Sequence, residues 1–397
     1  MSENQKKTKP NVPNLRFPGF EGEWEKHFLV DIVDRVTRKN KAMETNRPLT
    51  ISAQFGLIDQ IDFFKKTVAS QDLSSYYLLL NGEFAYNKSY SSEYPWGAIK
   101  RLDLYDKGAL SSLYICFKPK GTIDSDYLVH YFESSKWHQG MANIAGEGAR
   151  NHGLLNIAIP DFFNTIHYLP NVSEQRKIAD FLNLIEERIA VQNKVIEDLK
   201  KLKTALCDRL YNESTPNCRI GDIIEQLSAR NKDGNTQNVL SVSNRYGFIS
   251  QAEQFEERSI ASEDTTNYKV VRLNDFAYNP ARINVGSIAR LKSIEKGIVS
   301  PMYICFRCGE VVLPEFLEQF FSTKYFSLEV GKRLEGSVRM CLSFEGLCNI
   351  PISLPSLVQQ KGISEKINCL NKKFQIEENY LFALLNQKQY LLSHLFI

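Results

Sequence analysis

The feature that most constrains this chain is that it is written twice, and four separate segments recur in the same order. Leu49-Thr50-Ile51-Ser52-Ala53-Gln54-Phe55-Gly56-Leu57-Ile58 returns 191 residues later as Leu240-Ser241-Val242-Ser243-Asn244-Arg245-Tyr246-Gly247-Phe248-Ile249. Phe84-Ala85-Tyr86-Asn87 returns as Phe276-Ala277-Tyr278-Asn279, and Tyr114-Ile115-Cys116-Phe117 as Tyr303-Ile304-Cys305-Phe306, at offsets of 192 and 189. The fourth match starts at Leu169-Pro170 and Leu354-Pro355, and its offset of 185 holds without a gap to the last residue. The matched segments read as buried strands and long helices, and the drifting offsets place insertions in the loops between them.

After each Leu-Pro, Asn171 with Glu174 and Ser356 with Gln359 have capping-box spacing, so both helices are expected to start at equivalent residues. A narrow apolar stripe follows: Ile178, Leu182, Ile185, Ile189, Ile196, Leu199, Leu206 and Leu210 in the first copy. The second reads Ile363, Ile367, Leu370, Phe374, Leu381, Leu384, Leu391 and Leu395. Polar Gln192 and Lys203 interrupt one stripe and Glu377 and Lys388 the other at the same points, which suits register-setting layers in a coiled coil. A helix of roughly 40 residues spans about 60 Å, so it is expected to project from its head and to lie antiparallel to its copy about an approximate two-fold axis.

The expected fold is therefore α+β: two homologous mixed α/β heads separated by two long antiparallel coiled-coil helices. The boundaries read as a flexible tail over 1–15, a first head over 16–170, a first long helix over 171–212, a second head over 213–355 and a second long helix over 356–397. Short helices are expected near Val30 to Thr37 and Gly221 to Leu227, with others near Asp126 to Trp137 and Pro314 to Tyr325.

Composition adds exclusions. No stretch nears the roughly 18 apolar residues of a membrane helix, and Met1 to Pro10 is polar and lysine-bearing without a signal-peptide core, so the expected location is the cytoplasm. The eight cysteines sit in apolar or helical contexts and are expected to be reduced. A formal net charge of +3 permits a nucleic-acid surface without announcing one.

Catalytic motifs are mostly absent. Asn279-Pro280-Ala281-Arg282 only partly resembles an amino-methyltransferase motif, and its copy Asn87-Lys88 lacks the proline, so a strand-end turn is expected. Gly146-Glu147-Gly148-Ala149-Arg150-Asn151 lacks the third glycine of a dinucleotide loop. Cys305 and Cys308 have zinc-ligand spacing, with Cys341 and Cys348 downstream, but Cys305 repeats the strand residue Cys116 and Cys308 has no counterpart, so no metal site is expected. His138 and His152 lack neighbouring ligands and take no role.

What remains is a set of loop residues suited to gripping phosphates and reading base edges. In the first head these are Lys88, Tyr90, Tyr94, Trp96, Lys100, Arg101, Arg150 and Asn151; in the second, Arg282, Asn284, Ser287, Arg290, Lys292 and Arg339. A coiled-coil adaptor whose heads bind proteins is the rival reading, and an enzyme with zinc in the second head a further one.

The duplicated head-plus-helix layout, Phe84-Ala85-Tyr86-Asn87 with its repeat Tyr278-Asn279-Pro280-Ala281-Arg282, the Leu-Pro before Glu174-Gln175-Arg176-Lys177-Ile178, and the stripes together resemble the specificity subunit of type I restriction-modification enzymes over nearly the whole chain. The second helix departs slightly, with Gln359-Gln360-Lys361-Gly362-Ile363. The resemblance implies two target-recognition domains on double-stranded DNA, each reading one half of a bipartite asymmetric site, with the helices as a ruler for the gap. It implies no active site in this chain. The implied partners are two methyltransferase subunits using S-adenosylmethionine and two ATP- and Mg-dependent endonuclease/translocase subunits, so those cofactors belong to the partners.

Overall fold

A computed structural model of the chain describes residues 11–65, 72–146, 153–212, 215–244, 246–250, 264–336 and 339–397. It divides into two compact units, Met1–Gln192 with Tyr380–Ile397 and Asn193–Asn379. Each unit thus holds one head and portions of both long helices.

The central sheets of the two heads have the same topology. The central antiparallel sheet of the first runs in the order Val33–Arg35, Ile115–Pro119, Phe84–Asn87, Ala98–Arg101. In the second head the order is Ile224–Leu227, Ile304–Cys308, Phe276–Tyr278, Ile288–Arg290. Equivalent rings face each other across the strands: Phe84 stacks on Phe117 at 5.4 Å, and Phe276 on Phe306 at 5.1 Å. Such cross-strand aromatic pairs fix register as well as burying area.

The near-continuous apolar runs in these strands have a physical cause, because the sheet is covered on both faces. Phe84, Tyr86 and Phe117 join a core with the helices, while Ala85 and Cys116 join a separate core with the hairpin Leu49–Ser52/Gly56–Asp59 and the strands Tyr77–Leu80 and Lys107–Leu110. The second head repeats this with Phe276, Tyr278 and Phe306 on one side and Ala277 and Cys305 on the other.

The long helices run Val172–Asn212 and Leu357–His394, so their first residues are equivalent and Asn171 and Ser356 stand at the N-caps. The second capping box closes as read: Gln359 N–H donates to Ser356 Oγ at 3.5 Å, and Ser356 N–H donates to Gln359 Oε1 at 3.1 Å. Only half of the first box forms. Glu174 N–H donates to Asn171 Oδ1 at 2.9 Å, but the Glu174 carboxylate takes a bidentate pair from Arg16, both bonds 2.8 Å. A charged bidentate partner outcompetes a single backbone N–H for that carboxylate.

None of the sixteen stripe residues is exposed. Within the first unit the helices meet antiparallel, with Arg188 Nη2 donating to Tyr380 Oη at 2.5 Å and Glu186 paired with Lys388. In the second unit Lys200 lies over the Phe374 ring at 5.4 Å, and Tyr211 and Ile367 share one core. The stripes do more than pair helices. Ile178, Leu182, Ile185 and Ile189, together with Leu384, Leu391, Leu395 and Phe396, are part of the first head's core. The expected projecting rod is therefore anchored over much of its length.

Buried polar clips repeat this anchoring. Gln175 Oε1 accepts from Asp124 N–H at 2.9 Å while its Nε2 donates to Pro170 O at 2.8 Å. Gln360 Oε1 accepts from Leu313 N–H at 2.8 Å, and its Nε2 donates to Val311 O and Pro355 O, each at 2.9 Å. Each glutamine holds the start of a head helix, Ser125–Glu133 or Pro314–Phe320. One turn or two further on, His130 Nε2 bonds Asn183 Oδ1 at 2.8 Å, and Gln319 Nε2 donates to Asn368 Oδ1 at 3.1 Å. A buried amide that loses such partners pays for their desolvation, so the clips set how each head sits on its helix.

Other expectations needed correction. The helix near Val30 to Thr37 is only Leu29–Ile32, followed by the strand Val33–Arg35. Its counterpart near Gly221 to Leu227 is the 3-10 turn Ile220–Asp222 followed by Ile224–Leu227. In both places pairing to the sheet claims the backbone that local pattern left open. The helices expected near Asp126 to Trp137 and Pro314 to Tyr325 break in two: Ser125–Glu133 with His138–Ile144, and Pro314–Phe320 with Lys324–Gly331. All eight cysteines are free. Among the described residues no helix is long and apolar enough to cross a membrane.

Candidate nucleic-acid interface

Each head carries an open cleft in the same place, between the turn of its first hairpin, the edge of the central sheet and a helix. The first, about 550 Å³, is lined by Gln54, Tyr94, Gly97, Lys100, Glu133 and Trp137 among others. The second, about 560 Å³, is lined by Asn244, Tyr246, Gly286, Arg290, Lys292 and Glu318 among others. Arg101 and Arg290 are the equivalent cations of the two sheet edges, opposite Phe84 and Phe276.

Most candidate cations near these clefts already hold partners. Lys100 pairs with Glu133 at 3.2 Å, and Arg101 donates to Asp103 and Asp126 at 2.6 Å each and to Ser125 at 2.9 Å. Arg290 is buried against Glu315, Glu318 and Asn274. Lys292 is exposed and pairs with Glu318 at 2.7 Å. Ser287 is buried and donates to Val242 O at 3.2 Å. These side chains brace the cleft walls.

The rest lie nearer solvent. Lys88, Tyr94 and Trp96 are half-buried, and Trp96 O accepts from Tyr86 Oη at 2.8 Å; Tyr90, Arg282, Asn284 and Arg339 are exposed. Arg339 sits on a loop closed by reciprocal backbone bonds between Glu335 and Cys341, 2.9 and 2.8 Å. Arg150 and Asn151 lie outside the described residues, as does His152.

Asn279 makes the expected strand-end turn: its Oδ1 accepts from Ala281 N–H at 3.1 Å, as Asn87 Oδ1 accepts from Ser89 N–H at 3.0 Å. An amide accepting from the backbone two residues on is a turn-former in both copies. Cys305 and Cys308 face opposite cores of one strand, and burial pushes each thiol up to about 12. Neither position favours the thiolate a zinc ion needs.

The polar layers of the helices have partners that spacing alone did not disclose. Lys388 lies between Glu133, at 2.8 Å, and Glu186. Burial pushes the Glu133 carboxyl up, but Lys100 and Lys388 outweigh it and hold the group below its usual range. Burial lowers Lys388, and Glu133 and Glu186 more than offset that. His130, Glu133 and Glu186 bring three potential ligand atoms within 4.8 Å of one another, yet the cation bonded to both carboxylates is Lys388. In the second head Ser322 and Asn371 stand at the Glu133 and Glu186 positions. There Lys203 borders a hollow of about 340 Å³ instead. A signal was present in the repeat, since one lysine was kept and both its acids were replaced. Of the other polar interruptions, Glu377 pairs with Lys373, and Gln192 is buried.

No family model matches the chain. A curated protein of Methanocaldococcus jannaschii, the type I restriction enzyme MjaVIII specificity subunit, is 25% identical over 304 residues, 68% of this chain and 69% of the relative. Over about two thirds of its length the chain is thus similar to a type I restriction specificity subunit.

Solved specificity-subunit structures share the fold. The HsdS subunit of Thermoanaerobacter tengcongensis superposes with a TM-score of 0.50 at 16% identity, covering 96% of this chain and 97% of that one. The type I restriction-modification S subunit of M. genitalium gives 0.54 at 14%, with 97% and 99% covered. A chain solved in work on assembly and conformational transition of the type I R-M system gives 0.59 at 16%, with 96% and 98% covered. Coverage of both heads and both helices in every case fits the duplicated α+β layout of specificity subunits.

Proposed function

We propose that this chain is the non-catalytic DNA sequence-specificity subunit of a type I restriction-modification complex, each head reading one half of a bipartite, asymmetric site. The observation that carries the proposal is one scaffold built twice, with equivalent clefts whose linings differ. Same-fold readers with unlike loops suit two unlike half-sites. Exposed Arg282, Asn284, Arg339 and Tyr90 are assigned to direct contact, with Lys88, Tyr94, Trp96 and Lys292 beside them. Arg150 and Asn151 are assigned with them by residue type alone. Lys100, Arg101, Ser287 and Arg290 hold those surfaces in shape.

The partners in this reading are two methyltransferase subunits and two endonuclease/translocase subunits, in the cytoplasm. S-adenosylmethionine, ATP and Mg serve those partners. With a net charge of only +3, the isolated chain is expected to grip DNA weakly at physiological salt and to need the phosphate contacts of its methyltransferases.

The deciding experiment is co-expression with the methyltransferase subunits followed by mapping of methylated adenines, with gel shifts run with and without those subunits. A single split motif supports the reading. Binding of the heads to protein, with no sequence methylated, would point to an adaptor.

A further inference from the structure

The first hairpin of each head ends in an aromatic ring held out into solvent at the rim of the cleft. Phe55 is 65% exposed and Tyr246, its counterpart, 69%. The turns that present them are built alike. Phe55 N–H donates to Ser52 Oγ at 3.2 Å and Tyr246 N–H to Ser243 Oγ at 3.3 Å. The next residue is glycine in both, Gly56 at φ +79° and Gly247 at φ +72°, a left-handed conformation that would strain another side chain.

Around these rings the turns have diverged, Ala53 against Asn244 and Gln54 against Arg245. The aromatic was kept although each ring stands about two thirds exposed and so buries little of its area in its own head. Its setting is polar: Gln54 lines the first cleft, and Asn244 and Lys292 line the second. A flat ring on a stiff hairpin beside amide and cationic groups has the chemistry of a base-stacking wedge, which partly unstacks a step while polar neighbours hold backbone and base edges.

We infer that Phe55 and Tyr246 are paired wedge residues, each inserting against one base step of the half-site read by its own head. The inference rests on the DNA reading above and adds to it the residue in each head that deforms the duplex. Stacking is sequence-tolerant, so the wedge selects steps that unstack easily, such as pyrimidine–purine steps, while the loops read base edges.

The test uses the full chain assembled with its methyltransferase subunits and duplexes of the mapped motif carrying 2-aminopurine at successive positions. The parent complex is expected to raise fluorescence at one step in each half-site. Phe55→Ala should abolish the rise in the first half-site only and Tyr246→Ala in the second only, each weakening binding about 5- to 150-fold. Phe55→Tyr should keep both signals and Phe55→Leu should not, which separates stacking from apolar contact. Because both residues are exposed, the variants should fold like the parent.

Alanine variants that bind with parental affinity and fluorescence would overturn the inference while leaving the DNA reading intact. So would variants that fail to assemble with methyltransferase in the absence of DNA, since the rings would then be protein contacts. A parent complex that methylates no sequence would sink the DNA reading and the wedge together.

Discussion

Acid should loosen the first head and spare the second, because of one buried imidazole. Thr165 Oγ1 donates to Phe162 O at 2.8 Å, so toward His167 Nε2, also 2.8 Å away, it accepts. His167 is then the Nε2–H tautomer, and its Nδ1 accepts from Tyr131 Oη at 2.8 Å. A proton added at Nδ1 would face an oxygen whose own hydrogen has no other acceptor among the described residues. Burial pushes the ring down to about 4 from an ordinary 6.5.

The folded pKa is depressed, so the native state is favoured above the unfolded pKa and that advantage is lost as pH falls from 6.5 toward 4. Linkage over this shift removes about 2 kcal/mol by pH 5 and about 3 kcal/mol by pH 4. His130, also lowered by burial, acts in the same direction. In the second head Ile350, Phe320 and Ile352 occupy the corresponding positions, and the mechanism is missing. All three tryptophans, Trp24, Trp96 and Trp137, lie in the first head, so their fluorescence follows that head. Urea titrations at pH 7, 6, 5 and 4 should show the fluorescence midpoint falling steeply. His167→Gln should be less stable at pH 7 but have a flatter slope. A parent midpoint flat from pH 6.5 to 4.5, or an unaltered slope in the variant, refutes the reasoning.

Further consequences can be checked with the same preparations. Lys388→Met leaves Glu133 and Glu186 facing each other with Lys100 as the remaining cation; because the pair is partly exposed, about 2 kcal/mol should be lost from the first head, below the range for fully buried pairs, and Glu133→Gln in that background should restore part of it. Gln360→Ala strips one acceptor and two donors from a buried clip and should cost about 3 kcal/mol in a urea titration followed by circular dichroism, a loss under 1 kcal/mol arguing against the clip. Removing one matched heptad from each long helix shortens each by about 10 Å, and methylation mapping should find the unspecified gap reduced by about three base pairs with both half-sites unchanged. Arg339→Ala should weaken DNA binding of the assembled complex and flatten its salt dependence if the residue meets phosphate, or relax one base of the second half-site if it reads an edge.

Much of the architecture was legible because it is local and repeated. Matched strand segments revealed the common sheet, and the Leu-Pro and cap spacing located the first turns of Val172–Asn212 and Leu357–His394. What escaped depends on distant residues meeting. Nothing near Val33–Arg35 in sequence announces Ile115–Pro119 as its pairing strand. Likewise the partners of Lys388 lie on a head helix and on the other long helix. The contact surface was least legible, since a loop arginine reads alike whether it meets phosphate or, like Arg290, three neighbours in its own head. Phe55 and Tyr246 align with each other in the first repeated segment, which reads as buried strand, and only their exposure marks them out.

The closure of the first head by Leu391, Leu395 and Phe396 has a bearing on biosynthesis. Strands and helices laid down between Trp24 and Leu169 cannot complete their hydrophobic interior until residues more than two hundred positions later have left the ribosome. At typical elongation rates that interval is roughly ten to forty-five seconds. Throughout it the nascent chain displays an unfinished apolar surface, so any ribosome that stalls within Leu357–His394 releases a product whose earliest-made domain is the one left open.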